Sequence, residues 1–374
     1  MKRLFCAAAA ALLWAHPAWA LFDTEGLDPA FCQQPTVRQT VVYVDDMVMV
    51  DGQTDWAAKL TSKLRATLTP GEAVTVVRLS PRTGQSRELW SGCWPQYTAE
   101  QRARIAKETY ILSASPLTRL SDQEKYFFHD LGVALTAIYA DAKRPLAAVQ
   151  FTSDRAPAKQ IIRALASDEG RFANSQRTVR AIVYSDMAEN SDLGSVFQPS
   201  QPPQALGQAL GSYLRRSVFY AYGVGDDVSG TATFAEGAKR FWTGALKSLS
   251  ATLIGMGSDL NVANALPVRS YASPVVLAFD GQELDGRLSL LADADGTLVD
   301  SWIGVSRLGT AGLTGTFRCD ATGSSCRLDG TTTTGLATNA PTETLGMTGT
   351  SKAMSGQLGI RVQKLSYPVK TVAE

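Results

Sequence analysis

Short β-branched runs alternate with amphipathic segments between Thr40 and about Leu253, and this alternation constrains the fold more than any other feature of the sequence. Four runs have the composition of strands: 40–44, 74–79, 179–184 and 218–222. The first and third are almost continuously apolar, as expected for strands covered on both faces. Strands that alternate with helices in this way predict an α/β layer built on a largely parallel open sheet.

The segments between these strands have helical spacing. Apolar residues recur every three or four positions in two of them: Trp56, Leu60, Leu64, Leu68 and Phe127, Leu131, Leu135, Ile138. Further helices are predicted at 158–172, 204–215 and 234–253. The run Pro81-Arg82-Thr83-Gly84 is typical of a hairpin turn, so we expect one antiparallel strand in the sheet over 87–90.

The sequence changes character after about Leu266-Pro267. Residues 273–366 are rich in Gly, Thr and Ser, and five turn signals occur there: Asp280-Gly281, Asp285-Gly286, Asp295-Gly296, Gly323-Ser324 and Asp329-Gly330. Alternating segments separate them, at 287–291, 298–305, 313–318, 326–333, 344–350 and 357–362. This pattern predicts an antiparallel barrel or sandwich. With a linker near 255–258, we expect an α/β domain over 21–258 and a β-rich domain over 267–374.

The first twenty residues have the layout of a secretory signal. Lys2-Arg3 precede an apolar stretch from Leu4 to Trp14, and small residues stand at Ala18 and Ala20. The stretch is too short to span a bilayer, which takes about 20 apolar residues. We therefore expect residues 1–20 to be a signal peptide, and the mature protein to be periplasmic or secreted, with no transmembrane segment.

Loss of the signal also removes Cys6 and leaves an even number of cysteines, which favours disulfides in an oxidising compartment. Cys319 and Cys326 bracket a turn-rich run that brings its ends together. We therefore predict a Cys319–Cys326 disulfide, and with it a second one between Cys32 and Cys93. A redox or metal-binding thiol pair is the alternative, but the chain has no Cys-x-x-Cys to support it.

Composition excludes several classes of function. Charged residues make up 19% of the chain and its formal net charge is +1, so nothing steers it toward nucleic acid or acidic lipid. His129 is the one histidine left after signal removal, which excludes multi-histidine metal sites. No Gly-x-Ser-x-Gly elbow supplies a nucleophile for a histidine relay. We expect a partly exposed helical His129 and a protein that is not an enzyme.

Two acidic clusters follow strands of the predicted sheet. Asp45, Asp46 and Asp51 follow the first strand, and Asp186 and Glu189 follow the run at 179–184. Ligands of open α/β sheets bind beyond the carboxyl ends of the strands. Carboxylates at that edge are hard oxygen ligands that suit magnesium or calcium. These five residues are therefore candidate binding residues.

The order of elements, together with the stretches Val183-Tyr184-Ser185-Asp186-Met187 and Arg240-Phe241-Trp242, resembles a von Willebrand factor A-type (vWA-like) domain, in particular the divergent versions in exported bacterial proteins. The resemblance covers about residues 36–255 and implies a Rossmann-type open sheet. Such domains often hold a divalent ion through an Asp-x-Ser-x-Ser turn, with a Thr and an Asp from later loops, and capture an acidic group of a partner protein. Thr152 or Ser153 would match that Thr, and Asp186 that Asp.

The first turn departs from the family pattern. Its two serine positions hold methionine if Asp45 leads the motif and valine if Asp46 leads it. Thioether and alkyl groups do not replace hard oxygen around magnesium, so we favour a turn in which Asp45, Asp46 and Asp51 cap or solvate the next helix. A degenerate magnesium or calcium site formed by Asp45, Asp51 and Asp186 is the second hypothesis.

The expected function is that of an exported vWA-like protein that binds a protein or envelope partner without catalysis. The proline-rich segment 197–203 is a candidate contact loop. Two alternatives stay open. A small-ligand carrier would need a barrel with small or sparse inward side chains, whereas Leu, Val and Phe would fill the barrel. A metal-dependent hydrolase would need an acid or base beside a bound ion.

Overall fold

The structure is a computed structural model of the 374-residue chain. It describes residues 26–97, 100, 103, 116–148, 150–198, 205–229, 231–337 and 343–372. The predicted signal segment 1–20 lies outside the described residues, as do residues 199–203 of the proline-rich segment. Export and a contact role for that loop therefore stay predictions.

A six-stranded sheet forms the amino-terminal part of the molecule. Its strands are β1 (Arg38–Asp45), β2 (Ala73–Ser80), β3 (Gln85–Cys93), β4 (Thr178–Tyr184), β7 (Ser217–Tyr222) and β8 (Thr252–Met256). The short strands β5 (Asn190–Ser191) and β6 (Gly194–Ser195) pair with each other outside this sheet. The six strands of the sheet lie in the order β3-β2-β1-β4-β7-β8, and every neighbouring pair is parallel except β2 and β3. This is the doubly wound Rossmann order with one antiparallel edge strand, so the predicted Rossmann-type open sheet flanked by helices is confirmed.

Helices cover both faces of the sheet. They are α1 (Asp55–Thr67), α2 (Pro116–Ala142), α3 (Ile161–Ala166), α4 (Glu169–Ala173), α5 (Leu206–Leu210) and α6 (Thr231–Ser248). Alternate residues of β1 supply the two cores: Val42 and Val44 pack with α1 and α2, whereas Val41 and Tyr43 pack with the shorter helices and α6. Burial on both faces explains why β1 and β4 are nearly continuous apolar runs.

Three predicted helices were wrong in extent. The segment 158–172 contains two short helices, α3 and α4, and its first residues are extended instead of helical. Of residues 205–215, the described part of the segment predicted at 204–215, only α5 is helical. The helix predicted to reach residue 253 ends at Ser248, because Ser250 takes a left-handed conformation (φ 59°). The chain then enters β8, so the first two residues of the linker predicted at 255–258 belong to an edge strand of the sheet.

The carboxyl-terminal part is a closed antiparallel barrel. Its strands are β9 (Arg269–Phe279), β10 (Gln282–Ala292), β11 (Ser301–Val305), β12 (Gly309–Cys319), β13 (Cys326–Thr332), β14 (Glu343–Gly349), β15 (Met354–Ile360) and β16 (Leu365–Thr371). Sequence reasoning missed β9 and β16, and these two strands close the barrel by pairing Val369 with Leu277. The barrel alternative is thus confirmed over the sandwich.

Large apolar side chains fill the barrel interior. The most completely buried of them are Leu277, Leu288, Leu290, Ile303, Leu328, Leu345 and Leu358. This is the filled pattern, in which inward residues occupy the space that a ligand would need. The small-ligand carrier therefore loses its structural basis in the described part of the barrel.

Two predicted barrel turns were wrong because their glycines serve strand pairing. Asp285-Gly286 lies inside β10 and Asp329-Gly330 lies inside β13. A Cβ on Gly286 would approach the Gly304 carbonyl oxygen to 2.4 Å, so the close approach of two strands requires glycine there. Asp329 is exposed on its strand and accepts a 2.6 Å hydrogen bond from Arg327 Nε.

Both predicted disulfides are present. Cys32–Cys93 ties the 3₁₀ turn Pro29–Gln33 to β3, and Cys319–Cys326 joins β12 to β13 next to their hairpin turn. Two disulfides favour an oxidising compartment. Among the described residues, none of the helices is both long and apolar enough to cross a membrane.

The barrel contacts the amino ends of the parallel strands. Asp300 of the barrel lies 2.5 Å from Arg38 Nη1 and accepts a 2.7 Å hydrogen bond from the Tyr220 hydroxyl. Trp302 Nε1 donates to Thr178 Oγ1 at 3.3 Å. Arg38 and Asp300 are both fully buried. The barrel thus covers one edge of the sheet, and the carboxyl edge with its acidic clusters lies at the opposite end of the strands.

Candidate functional site

The structure brings Asp45 and Asp186 together at the carboxyl edge of the sheet. β1 and β4 are parallel neighbours with Val44 opposite Tyr184, so residues just beyond these positions share one edge. The Ser185 hydroxyl donates a 2.7 Å hydrogen bond to Asp45 Oδ2. Both carboxylates are completely buried. Two acids from the predicted metal set therefore form one closed cluster.

A lysine side chain lies between these acids. Lys159 Nζ is 2.7 Å from Asp186 Oδ2 and 3.4 Å from Asp45 Oδ2, and the residue is only 1% exposed. Two backbone hydrogen bonds with Asn190, of 3.1 and 3.0 Å, hold Lys159 in an extended bridge. This bridge directs the long side chain into the sheet edge. The ammonium group supplies the positive charge that two buried carboxylates require.

The electrostatics of the cluster agree with this geometry. Burial alone would lower the pKa of Lys159, but the Asp186 and Asp45 carboxylates outweigh burial, so the pKa is raised and the ammonium stays charged. Burial raises the pKa of Asp45, and Asp186 adds to this rise while Lys159 opposes it. Nearby, burial and Asp186 raise the pKa of Asp227 to about 7, against the opposing effect of Arg144.

The residues at this edge do not fit a divalent ion. The Lys159 ammonium occupies the space between the two carboxylates in which the ion would be held. Met47 and Met49 stand where the motif needs hydroxyls, and Met47 contributes a backbone N–H that donates to Asp45 at 2.8 Å. Across the described residues, no cluster of three or more His, Cys, Asp or Glu side chains is arranged to hold a metal.

Other predicted site residues lie apart from this cluster. Asp51 is exposed and its carboxylate is 3.5 Å from Lys143 Nζ. Thr152 and Ser153 are exposed where a short 3₁₀ turn begins. Asp46 faces the other way and accepts hydrogen bonds of 2.8 and 2.7 Å from Arg78 and Ser80. The structure thus does not assemble Asp45, Asp51 and Asp186 into one site.

Glu189 supports local structure. Its buried carboxylate accepts a 2.9 Å hydrogen bond from the Ile162 backbone N–H in the first turn of α3 and a 2.5 Å bond from the Ser191 hydroxyl. Burial raises the pKa of Glu189 to about 7, and these two hydrogen bonds oppose the rise. The Glu189 carboxylate therefore satisfies a helix N-terminus that has no side-chain cap of its own.

Sequence reasoning missed Lys159, the central residue of the site. A lysine is rarely buried, and the segment that contains it was predicted to be a helix. Pro157 was one available signal, since a proline disfavours helix just ahead of it and interrupts regular structure. The second signal was the absence of hydroxyl side chains from the first turn. Without them the turn does not bind a divalent ion, so the carboxylates Asp45 and Asp186 need another cation when they are buried together.

Fold and site together define a class of protein: a doubly wound α/β module with a buried lysine between two carboxylates at the carboxyl edge of its sheet, followed by an eight-stranded antiparallel barrel. No protein-family model matches the chain, and no curated protein matches it. Among solved structures the chain is similar to the ArnB paralog VWA2 from Sulfolobus acidocaldarius, at 12% identity and a TM-score of 0.28. The likeness covers 84% of this chain and 65% of that one. The fold assignment rests on the strand order and not on this likeness.

Proposed function

We propose that this protein is an exported, non-enzymatic binding protein whose vWA-like module contacts a protein or envelope partner without a bound metal. One observation carries the proposal: the Lys159 ammonium lies between Asp45 and Asp186 at the edge where ligands of such sheets bind. Because this cation is a side chain of the protein itself, the cluster of Lys159, Asp45 and Asp186 forms without a bound metal ion. Partner binding at this edge then needs no divalent ion.

Burial argues against catalysis by this cluster. Asp45, Asp186 and Lys159 are at most 1% exposed, so none of them can reach a substrate. A metal-dependent hydrolase would need both an ion and an accessible acid or base. His129, the one histidine of the described chain, is 73% exposed on α2 and has a hydrogen bond with its neighbour Asp130 at 3.1 Å. The hydrolase alternative is therefore not favoured.

The barrel supports this arrangement from the opposite end of the sheet. Its contacts through Asp300 and Trp302 occupy the amino ends of the strands and leave the carboxyl edge open to a partner. The filled interior supports a role of the barrel in docking or recognition through its outer surface. We infer that the barrel fixes the orientation of the vWA-like module.

Affinity capture tests the proposal. The mature chain is immobilised and incubated with the native envelope fraction in two arms, one with magnesium and one with EDTA, and any captured protein is purified and its Kd is measured directly. Two matched variants locate the surface: Thr152→Arg at the exposed carboxyl edge and Thr348→Arg on an exposed position of β14. A new bulky charge at an interface typically costs several kcal/mol.

The expected result is one specific partner with the same Kd in both arms, weakened at least tenfold by Thr152→Arg and unchanged by Thr348→Arg. Binding that disappears in EDTA would contradict metal independence. Loss of binding with Thr348→Arg alone would move the interface to the barrel. A small molecule that co-purifies with the chain, detected by mass spectrometry, would favour the carrier alternative.

A further inference from the structure

An open groove of about 720 Å³ lies between α1 and α2, which cover the same face of the sheet in opposite directions. Near the start of α1, the Tyr139 hydroxyl accepts a 2.5 Å hydrogen bond from the Gly52 N–H. Near the end of α1, the Arg65 guanidinium lies over the Phe128 ring. The part of α1 that borders the groove, from Thr54 to Arg65, is roughly 16 Å long. The volume is that of a small-molecule site, since such sites occupy roughly 300 to 1,000 Å³.

The lining of the groove is largely apolar and carries one charge. Trp56 of α1 and Leu135 of α2 are nearly completely buried and line its floor, and the alanines at positions 57 and 58 leave room above them. The uncharged polar groups of the lining are hydroxyls. Among the described lining residues, Arg65 is the one ionised side chain, and none is a carboxylate. This composition suits a molecule with an apolar body and a single anionic group.

A glycine keeps the groove open. Gly132 lies in the interior of the 27-residue helix α2, where glycine is less favourable than every other residue except proline. A Cβ at this position would meet no atom within 4 Å, so packing within the protein does not require glycine. Because Gly132 lines the groove, a larger side chain would project into it. The helix is therefore weakened at a position where a side chain would narrow the cavity, as expected if the cavity accommodates a ligand.

Arg65 places a cation at the end of the groove that is remote from the carboxyl edge of the sheet. The end of α1 lies at the amino edge, since Arg38 Nη2 at the start of β1 donates a 2.6 Å hydrogen bond to the Thr67 carbonyl oxygen. The guanidinium carbon of Arg65 is 4.6 Å from the centre of the Phe128 ring, and within the described chain Arg65 has no carboxylate partner. A guanidinium that lies over a ring keeps its N–H donors in its own plane, where they can bind a carboxylate.

We propose that the groove between α1 and α2 binds a small amphipathic monocarboxylate of the fatty-acid type, with its apolar body against Trp56 and Leu135 and its carboxylate on Arg65. One cation without a resident acid favours a single anionic group. The apolar floor favours a hydrocarbon body, because binding removes both surfaces from water. A helix of a partner protein fits less well, since it would bury a continuous apolar face, whereas exposed serine and threonine hydroxyls border the groove on both helices.

Isothermal titration calorimetry of the purified mature chain tests the inference with three probes: decanoate, its neutral counterpart decanol, and acetate. Gly132→Leu fills the groove from α2, and Ala58→Leu fills it from α1. The matched control is Gly170→Leu, because Gly170 is an exposed helical glycine of α4 whose Cβ would also meet no atom within 4 Å. Each variant is melted first, and we expect the Tm of Gly132→Leu to equal or exceed that of the wild type.

Two further variants test the charged end of the groove. Arg65→Gln removes the guanidinium, and Arg361→Gln makes an equal charge change at an exposed position on the barrel. Arg65→Gln should weaken decanoate about tenfold, the size of one charged hydrogen bond, and change decanol less than twofold. Arg361→Gln should change neither probe by more than twofold. Equal losses of decanoate and decanol in Arg65→Gln would refute the assignment of the carboxylate to Arg65.

The groove variants decide where the apolar body binds. We expect Gly132→Leu and Ala58→Leu each to weaken decanoate and decanol at least tenfold, and Gly170→Leu to change them less than twofold. Acetate should give no measurable heat, because it lacks an apolar body. Absence of decanoate binding to the wild type, equal losses in Gly132→Leu and Gly170→Leu, or acetate binding as tight as that of decanoate would overturn the inference.

This inference does not rest on the proposed function, and the two can fail separately. Decanoate binding without any captured partner would refute the proposed function and leave the groove as a ligand site. A captured partner whose Kd rises in Gly132→Leu, together with no binding of decanoate, would assign the groove to a helix of that partner and refute the carboxylate ligand.

Discussion

Replacement of Lys159 by methionine tests the central feature of the site. The substitution keeps most of the side-chain volume and removes the ammonium group that lies 2.7 Å from Asp186 and 3.4 Å from Asp45. Two like charges then remain buried together. Removing one partner of a buried ion pair costs about 3 to 5 kcal/mol, because the other charge is left uncompensated. In a domain of this size that corresponds to a fall in Tm of roughly 6 to 20 °C.

Thermal and urea unfolding of the mature chain measure this effect. The matched control is Lys143→Met, since Lys143 is 47% exposed and its partner Asp51 is 65% exposed. An exposed pair of this kind is worth at most about 1 kcal/mol. The double variant Lys159→Met/Asp186→Asn should recover part of the loss, because it removes one of the two uncompensated charges.

The pH dependence adds a second readout. Without the ammonium group the pKa of Asp45 rises further, so the folded state binds a proton that the unfolded state has lost, and stability falls as pH increases. The loss caused by Lys159→Met should therefore be smaller at pH 5 than at pH 8. Equal losses for the two lysine variants, or a wild-type Tm that rises with magnesium, would refute the reasoning.

Three further predictions concern stability and its pH dependence. Asp300→Asn removes the carboxylate charge that pairs with buried Arg38, while asparagine still tolerates the left-handed backbone at this position (φ 50°). We expect the free energy of unfolding in urea to fall by about 2 to 3 kcal/mol. The control is Asp259→Asn, which removes the carboxylate of an exposed pair with Lys59 and should lower the free energy of unfolding by less than about 1 kcal/mol. Equal losses for the two variants would show that the buried Arg38–Asp300 pair stabilises the fold no more than an exposed pair does. The pKa of Glu189 is raised to about 7 from 4.5, so the folded state holds a proton more tightly than the unfolded state does. The resulting contribution to the free energy of unfolding is full below pH 4.5 and is lost as pH rises toward 7. Glu189→Gln should therefore gain stability relative to wild type between pH 5 and pH 8, by up to about 3 kcal/mol, and a pH-independent difference would contradict this. Cys319→Ser should lower stability by about 2 kcal/mol because it opens a short loop, and capture of the partner should not change; capture lost at an unchanged Tm would assign the bridge a functional role.

Local patterns in the sequence determined most of the fold. The apolar run of β1 and the four-residue spacing of Trp56, Leu60 and Leu64 report which faces are buried, because periodicity follows directly from backbone geometry. The pairing of Cys319 with Cys326 followed from a short turn-rich run. In each case the partners are close in sequence, or the signal repeats along one element.

Only the tertiary structure decided the site and the join between the two parts. Lys159 is buried because a bridge to Asn190 directs it between two acids that are distant in sequence, and no local pattern distinguishes it from an exposed lysine. The contact of Asp300 with Arg38 spans 262 residues. Ion pairs between residues far apart in sequence produce no periodic pattern in the sequence, because each pair depends on how other elements of the chain are placed in the fold.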